Sequence, residues 1–278
     1  MEYILGGARF TMGKKGFTLI ELLVVISIIA LLLAILMPAL SMVKKKAKNV
    51  LCQNNLRQYA LAGEMYLTES DEIYPRAWNS LFSSTPSGNC QWHDEENFLD
   101  KRPDLAGPLW PYLEMQGIHL CPTFLKIGKS YGVDHPGHGS SSPPVVPQYS
   151  YSMNAFLGPE ASGSIGRASK RSQVKRPSDT FFFSEENMWI TSGLNGYVLN
   201  DNALVVLWNA TLPDDTSPQY VDSFGFFHNC TDLSKYSSKN LDWDDIKDAD
   251  LGNVYAVFVD GHVEAVHTRD SYRLAKPR

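Results

Sequence analysis

From Leu22 to Met37 the chain reads LLVVISIIALLLAILM, sixteen residues among which Ser27 alone is polar. Extended back to Phe17 and on to Leu40, the run reaches 24 residues. As an α-helix that is about 36 Å, enough to cross a hydrocarbon core of about 30 Å. Arg9, Lys14 and Lys15 precede the run against a single acid, Glu2. Positive charge ahead of a span predicts a cytoplasmic N-terminus and an exported body. A removable secretory signal has a shorter apolar region followed by a small-x-small cleavage site. Here the run continues into a helical pattern, so it is read as a retained anchor. Glu21 sits inside the block, where a carboxylate at bilayer depth costs about 2.5–3.5 kcal/mol and calls for a partner.

The remainder of the chain is polar, which gives a mean hydropathy of -0.21. With 278 residues, 44% hydrophobic and 20% charged, the chain has enough apolar material for a core without disulfides and is not intrinsically disordered. A net charge of -5 disfavours a general nucleic-acid binder. Four Cys without paired CxxC spacing argue against a disulfide scaffold and a structural zinc site.

The residues leading into the span, Lys14-Lys15-Gly16-Phe17-Thr18-Leu19-Ile20-Glu21, closely resemble the processing motif of type IV prepilins and type II secretion pseudopilins. The resemblance implies that a prepilin peptidase cuts after Gly16, so that residues 1–16 are a leader peptide. It implies that Phe17 becomes a methylated N-terminus, and that Glu21 is the carboxylate that meets the N-terminal amine of a neighbouring subunit. Met12 begins MGKKGFTLIE, a shorter leader, which is expected to mark the true start. The physics agrees with the motif. A helix-terminal amine in lipid needs an anion, a buried carboxylate needs a cation, and a staggered neighbour supplies both.

Beyond the span, Pro38 is expected to end or kink the helix, after which the helical pattern persists to about Ser70. Leu40, Val43, Ala47, Val50 and Leu51 fall on one arc. Cys52, Leu56, Tyr59, Ala60, Gly63, Tyr66 and Leu67 fall on the opposite arc. Two apolar faces used in succession suit a helix that packs first on other helices and then on its own globular domain. Lys44, Lys45, Lys46 and Lys48 make a basic cluster expected to be solvated or to face lipid headgroups. The stretch 71–148 is rich in Pro, Gly and Ser and reads as irregular connection with one short helix. Later segments read as strands: Thr180–Ser184, Tyr197–Leu199, Ala203–Trp208, Ser223–Phe227, Val254–Val259 and His262–His267. The last two flank Asp260-Gly261, a dipeptide favoured in type I′ hairpins. Leu241–Leu251 reads as a loop insertion.

Phe227-His228-Asn229, Val257–Val263, Tyr149–Asn154 and Cys121-Pro122 resemble the C-terminal box of a pilin-like family marked by a His followed about nine residues later by Asp-Gly. Between His228 and Asp260 lie 31 residues, an excess read as an insertion within a hairpin loop.

Catalytic motifs are absent: there is no GxSxG, HExxH or Walker sequence. Asp134-His135-Pro136-Gly137-His138 reads as a polar loop. Asp242, Asp244, Asp245, Asp248 and Asp250 offer clustered carboxylates for calcium, with Asp242, Asp244 and Asp248 as the candidate ligands, but the EF-hand Gly and terminal Glu are missing. A solvated acidic loop is the plainer reading, and no other cofactor is expected. All four Cys follow the span and therefore face an oxidising compartment. Four Cys allow three connectivities. Joining Cys52, on the docking arc, to Cys121 fastens the helix to the domain and leaves Cys90 and Cys230 as a second pair.

The expected fold is α+β and pilin-like: a spine helix over 17–70, transmembrane over 17–40, packed on a mainly antiparallel β-sheet domain over 71–278. The resemblance implies a filament subunit of a type IV pilus-like or type II secretion pseudopilus-like system. Its implied partners are prepilin peptidase, copies of itself and other pilin-like subunits, and an inner-membrane assembly platform. The chain is expected in the inner membrane as a single-pass protein with a periplasmic domain, then in an extracytoplasmic filament. Two further readings stand beside it. One is a minor tip or adhesive member that binds an exported substrate or surface glycan through Trp78, Trp92 and Trp110. The other is a periplasmic domain, enzymatic in function, on an uncleaved signal anchor.

Overall fold

The computed structural model of the chain describes residues 16–83, 93, 98–113, 116–132, 144–159, 168–189, 191–192, 202–206, 222–230, 241–242 and 251–275. Helix α1 runs unbroken over Leu19–Glu69, with Pro38 inside it. Pro38 was expected to end or kink the helix, and it does not end it. Proline removes one rung of the hydrogen-bond ladder, but the residues around it are apolar helix formers. A segment with lipid for solvent has nothing but its own ladder to satisfy its backbone. The chain divides into two compact units, Met1–Lys46 and Ala47–Arg278, and the division falls within α1.

In the first unit, the large apolar side chains from Phe17 to Val43 are exposed. In the second, the same helix turns one face inward. Cys52, Leu56, Tyr59, Ala60, Gly63 and Leu67 are buried and Tyr66 is half-buried, while Val50 and Leu51 on the opposite arc stay exposed. This is the phase that the 3.6-residue period predicts.

The inward face meets a five-stranded sheet in the order β4-β1-β2-β6-β7. Its strands are β1 (Ser152–Asn154), β2 (Phe181–Ser184), β4 (Ala203–Leu204), β6 (Val254–Phe258) and β7 (Val263–Val266). Only the β1–β4 pair is parallel, so the sheet is mixed but mostly antiparallel. Strands β3 (Thr191–Ser192) and β5 (Leu241–Asp242) form a separate parallel pair. The register of β2 against β6 shifts between Phe181 and Phe183. Such an irregularity re-aims side chains, and here two consecutive residues reach α1. Phe183 meets Tyr59 edge-on at 4.9 Å between centroids. Phe182 lies so close to Gly63 that a Cβ there would sit 2.1 Å from its ring.

The terminal hairpin forms as expected, with Val254 opposite Val266 and Val257 opposite Val263. Its turn is not the type I′ expected. Gly261 donates to the Phe258 carbonyl, Phe258 donates to that of His262, and only Gly261 in the turn has positive φ, 88°. The loop therefore holds three residues, Val259-Asp260-Gly261, with glycine supplying the left-handed step. Asp260 stays right-handed, which a two-residue I′ turn forbids.

Other strands are shorter than predicted. Of Ala203–Trp208, only Ala203–Leu204 is extended in the sheet, and 207–208 lie outside the described residues, as does Tyr197–Leu199. Ser223–Phe227 is not a strand. Its one β-bridge joins Phe224 to Glu186, and its amides are taken up irregularly, Phe224 by Ser271 Oγ and Gly225 by the Glu185 carbonyl. Leu241–Leu251, read as loop, begins with β5, and 243–250 lie outside the described residues. Among the described residues of 71–148 there is one short helix, α2 (Pro122–Tyr131), with single 3-10 turns around it. Helix α3 (Ser271–Ala275) ends the described chain, with Leu274 and Ala275 buried.

Candidate processing and assembly site

Gly16 and Phe17 precede α1, and Thr18 caps it. The Glu21 carboxylate accepts from the Thr18 amide at 2.9 Å and from the Thr18 hydroxyl at 2.8 Å, and the Glu21 amide donates back to Thr18 Oγ1 at 3.3 Å. This reciprocal pairing is a capping box, which satisfies amides that the first helical turn leaves without carbonyl partners. Beside the cation expected from a neighbour, Glu21 thus finds hydrogen-bond donors in its own chain. Among the described residues it finds no cation. Glu21 is thus held at the helix start by Thr18, four residues after Phe17. Gly16 has nothing within 4 Å of where a Cβ would lie, and Phe17 is 70% exposed. The peptide is open to a peptidase and the ring is open to a neighbour.

The C-terminal box of the sequence gathers elsewhere, in the second unit. Cys52 on α1 and Cys121, the residue before α2, are joined by a disulfide with their Cα atoms 5.0 Å apart. His228 lies against it, Nε2 3.3 Å from Cys121 Sγ, and Glu185 Oε2 is 3.0 Å from the same nitrogen. Both side chains are fully buried. Tyr59 and His119 make a second buried pair. His119 Nε2 lies 2.7 Å from the Leu113 carbonyl and Nδ1 2.7 Å from the Tyr59 hydroxyl. A carbonyl only accepts, so Nε2 carries the proton and the tyrosine donates to Nδ1. Burial pushes His119 down to about 4 and Tyr59 well above its ordinary value. Neither His119 nor Glu185 stands out in the sequence. Their partners lie 60 and 43 residues away, and no periodic signal links them.

The remaining candidates are dispersed. Asp242 ends β5, whereas Asp244, Asp245, Asp248 and Asp250 lie outside the described residues, as do Cys90, Trp92 and the 134–138 loop. Cys230 is half-buried. Of the three tryptophans of the aromatic reading, Trp78 and Trp110 lie among the described residues. Both are half-buried against the core, and Trp110 stacks on His119 at 4.5 Å. His262 stacks on Phe258 and bonds Asp260, closing its own hairpin.

Residues 11–37 match the family model of the prokaryotic N-terminal methylation motif. The type IV wide pilus major component PilA4 of Thermus thermophilus is 44% identical over 57 residues, 20% of this chain and 44% of that relative. The matched segment of the chain is type IV pilin-like. The match spans under half the length of that pilin. No solved structure matches the chain. The likeness therefore rests on the N-terminal motif, the aligned segment and the architecture: a long apolar helix whose second part packs on a mixed sheet. In this pilin-like chain, α1 is also the one helix among the described residues long and apolar enough to cross a membrane.

Proposed function

We propose that this chain is a structural subunit of a type IV pilus-like or type II secretion pseudopilus-like filament. A prepilin peptidase removes residues 1–16, Phe17 becomes the methylated N-terminus, and the exposed apolar part of α1 carries the subunit first in the inner membrane and then in the filament core. The domain following α1 lies outside that membrane. The protein is not an enzyme in this reading. Its partners are the peptidase, an inner-membrane assembly platform, and other pilin-like subunits.

The observation that carries the reading is the arrangement at the start of α1: an exposed Gly16 and Phe17, then a carboxylate held by Thr18 and without a cation among the described residues, then a helix whose apolar side chains are exposed. A second subunit, shifted along the axis, brings its Phe17 amine to Glu21 and its apolar face to these side chains. One contact thereby neutralises two charges in a medium where each alone is costly.

Intact-mass measurement of membrane and sheared-filament fractions tests this. The mature species begins at Phe17 with one added methyl group, and Gly16→Val leaves the full precursor in the membrane. A mature N-terminus elsewhere, or a chain found only at precursor mass in the native host, refutes the reading in favour of an uncleaved anchor.

A further inference from the structure

Cys52, Cys121, Glu185 and His228 bring Sγ, Sγ, a carboxylate oxygen and a ring nitrogen within 4.8 Å of one another, and all four residues are buried. Each comes from a different place in the chain: the inward face of α1, the start of α2, the end of β2, and the segment bridged to Asn253. Two features show that the group converges on a point instead of merely filling space.

The first is the tautomer of His228. Asn253 Nδ2 faces the Val254 carbonyl at 3.4 Å, which leaves its Oδ1 to accept from Asn229 Nδ2 at 2.8 Å. Asn229 Oδ1 then accepts from Asn49 Nδ2 at 3.3 Å, and Asn49 turns its Oδ1 to His228 Nδ1 at 3.0 Å. A carbonyl oxygen only accepts, so this relay of amides places the proton on Nδ1. Nε2 is left with its lone pair aimed at Glu185 and Cys121. An outer partner that fixes one ring nitrogen so that the other can bind is the usual support for a metal-ligating histidine.

The second feature is Glu185. Among the described residues neither of its carboxylate oxygens has a hydrogen-bond partner, although both are buried. Oε2 lies 3.0 Å from Nε2 with no hydrogen bond between them. A lone pair facing a carboxylate in a dry core needs a cation between them.

We propose that the dithiol form of this chain binds one zinc ion through Cys52, Cys121, His228 Nε2 and Glu185. The disulfide and the metal are alternative closures of one staple between α1 and the domain. Two thiolates, an imidazole and a carboxylate suit zinc's tetrahedral preference, in which such donors lie about 3.4–3.8 Å apart. Parting the two sulfurs from bonded to non-bonded distance is the main adjustment. The chain is synthesised with both thiols reduced, so binding needs no reductant: Zn2+ enters and two thiol protons leave. A thiolate on zinc is also shielded from oxidation.

The full-length chain in detergent provides the test, with Co2+ as the probe. The protein is unfolded, its disulfide is reduced with a phosphine (which ends as the phosphine oxide), and it is refolded anaerobically. The expected result is one Co2+ per chain, with an intense thiolate-to-cobalt absorption and tetrahedral ligand-field bands that Zn2+ abolishes. The oxidised chain shows neither. Cys90→Ser with Cys230→Ser retains the bands, while His228→Gln and Glu185→Gln alter them. Asn49→Ala, at the half-buried end of the relay, weakens Co2+ affinity about 10–100-fold. Absence of the thiolate band in the reduced chain, whether or not that chain folds without metal, overturns the proposal. So does a band that disappears with Cys90 and Cys230 and ignores His228 and Glu185.

Discussion

Replacing both members of the staple, Cys52→Ala with Cys121→Ala, removes a cross-link closing a loop of 69 residues. Chain-entropy reasoning gives that closure roughly 4 kcal/mol at 25 °C, because the unlinked denatured chain regains the freedom the bond had denied it. For a unit the size of Ala47–Arg278, about 2 °C follows each kcal/mol, so the melting temperature falls by about 8 °C. The substitution sits where α1 meets the domain, with both cysteines fully buried, so the small gap left by two sulfur atoms adds to the loss. The assay is urea unfolding of oxidised wild type and of the variant in the same detergent, followed by tryptophan fluorescence. Trp189 is fully buried and donates through its indole N–H to the Gly132 carbonyl, so its emission reports the core. An unchanged denaturant slope with a lowered midpoint identifies the loss as stability. A change under about 1 kcal/mol refutes the reasoning. It would mean that the buried face of α1 holds its place without the cross-link, or that the denatured chain is already confined there.

Three other outcomes are expected. Glu21→Gln keeps the Thr18 contacts but removes the charge, so cleavage after Gly16 persists while the yield of sheared filaments collapses. Where burial is complete, breaking such a pair costs about 3–5 kcal/mol per contact, and normal filament yield from the variant rejects the role given to Glu21. Gly261→Val costs about 1–2 kcal/mol from its φ of 88° alone, since no atom lies near its Cβ position. Gly261→Asn, which tolerates that conformation, loses less on thermal melting, and equal losses would point to a cause other than backbone conformation. His119, held neutral by burial down to about 4, binds its proton more readily in the unfolded chain. Stability therefore falls by about 3 kcal/mol as pH drops from about 6.5 to about 4. His119→Gln removes that part of the slope, and superimposable pH profiles for the two proteins would contradict it.

The helix and its two faces were readable because burial there follows one period over many residues. Tyr59, Gly63 and Leu67 all turn inward on the predicted arc, and Cys52 shares it. The terminal hairpin was readable from Val254–Phe258 and Val263–Val266 around a glycine. Strand β1 was not, because Ser152 and Asn154 are as buried as Met153. Their polarity is satisfied from outside the strand, Ser152 by Glu186 and Asn154 by the carbonyls of Phe181 and Ala275. The short helix expected within 71–148 was not placed in that Pro- and Gly-rich context, although Pro122 occupies the first-turn position where proline is welcome. The cluster around His228 was beyond sequence reading because it joins four segments. Cys121 and His228 alone are 107 residues apart, and only the folded chain makes them neighbours.

His228 and Asn253 exchange both backbone hydrogen bonds, each 2.8 Å long, and Gly252 fits beneath them where a Cβ would lie 2.2 Å from the Phe226 carbonyl oxygen. The two residues are therefore the clamped posts of one doorway, and within the stretch they bracket β5 pairs with β3. Whatever lies between its posts can lengthen at a cost that rises only logarithmically, about 0.6 kcal/mol per doubling, and without shifting β6 or the residues around His228. That makes this doorway a natural place for evolution to vary cargo on a constant frame.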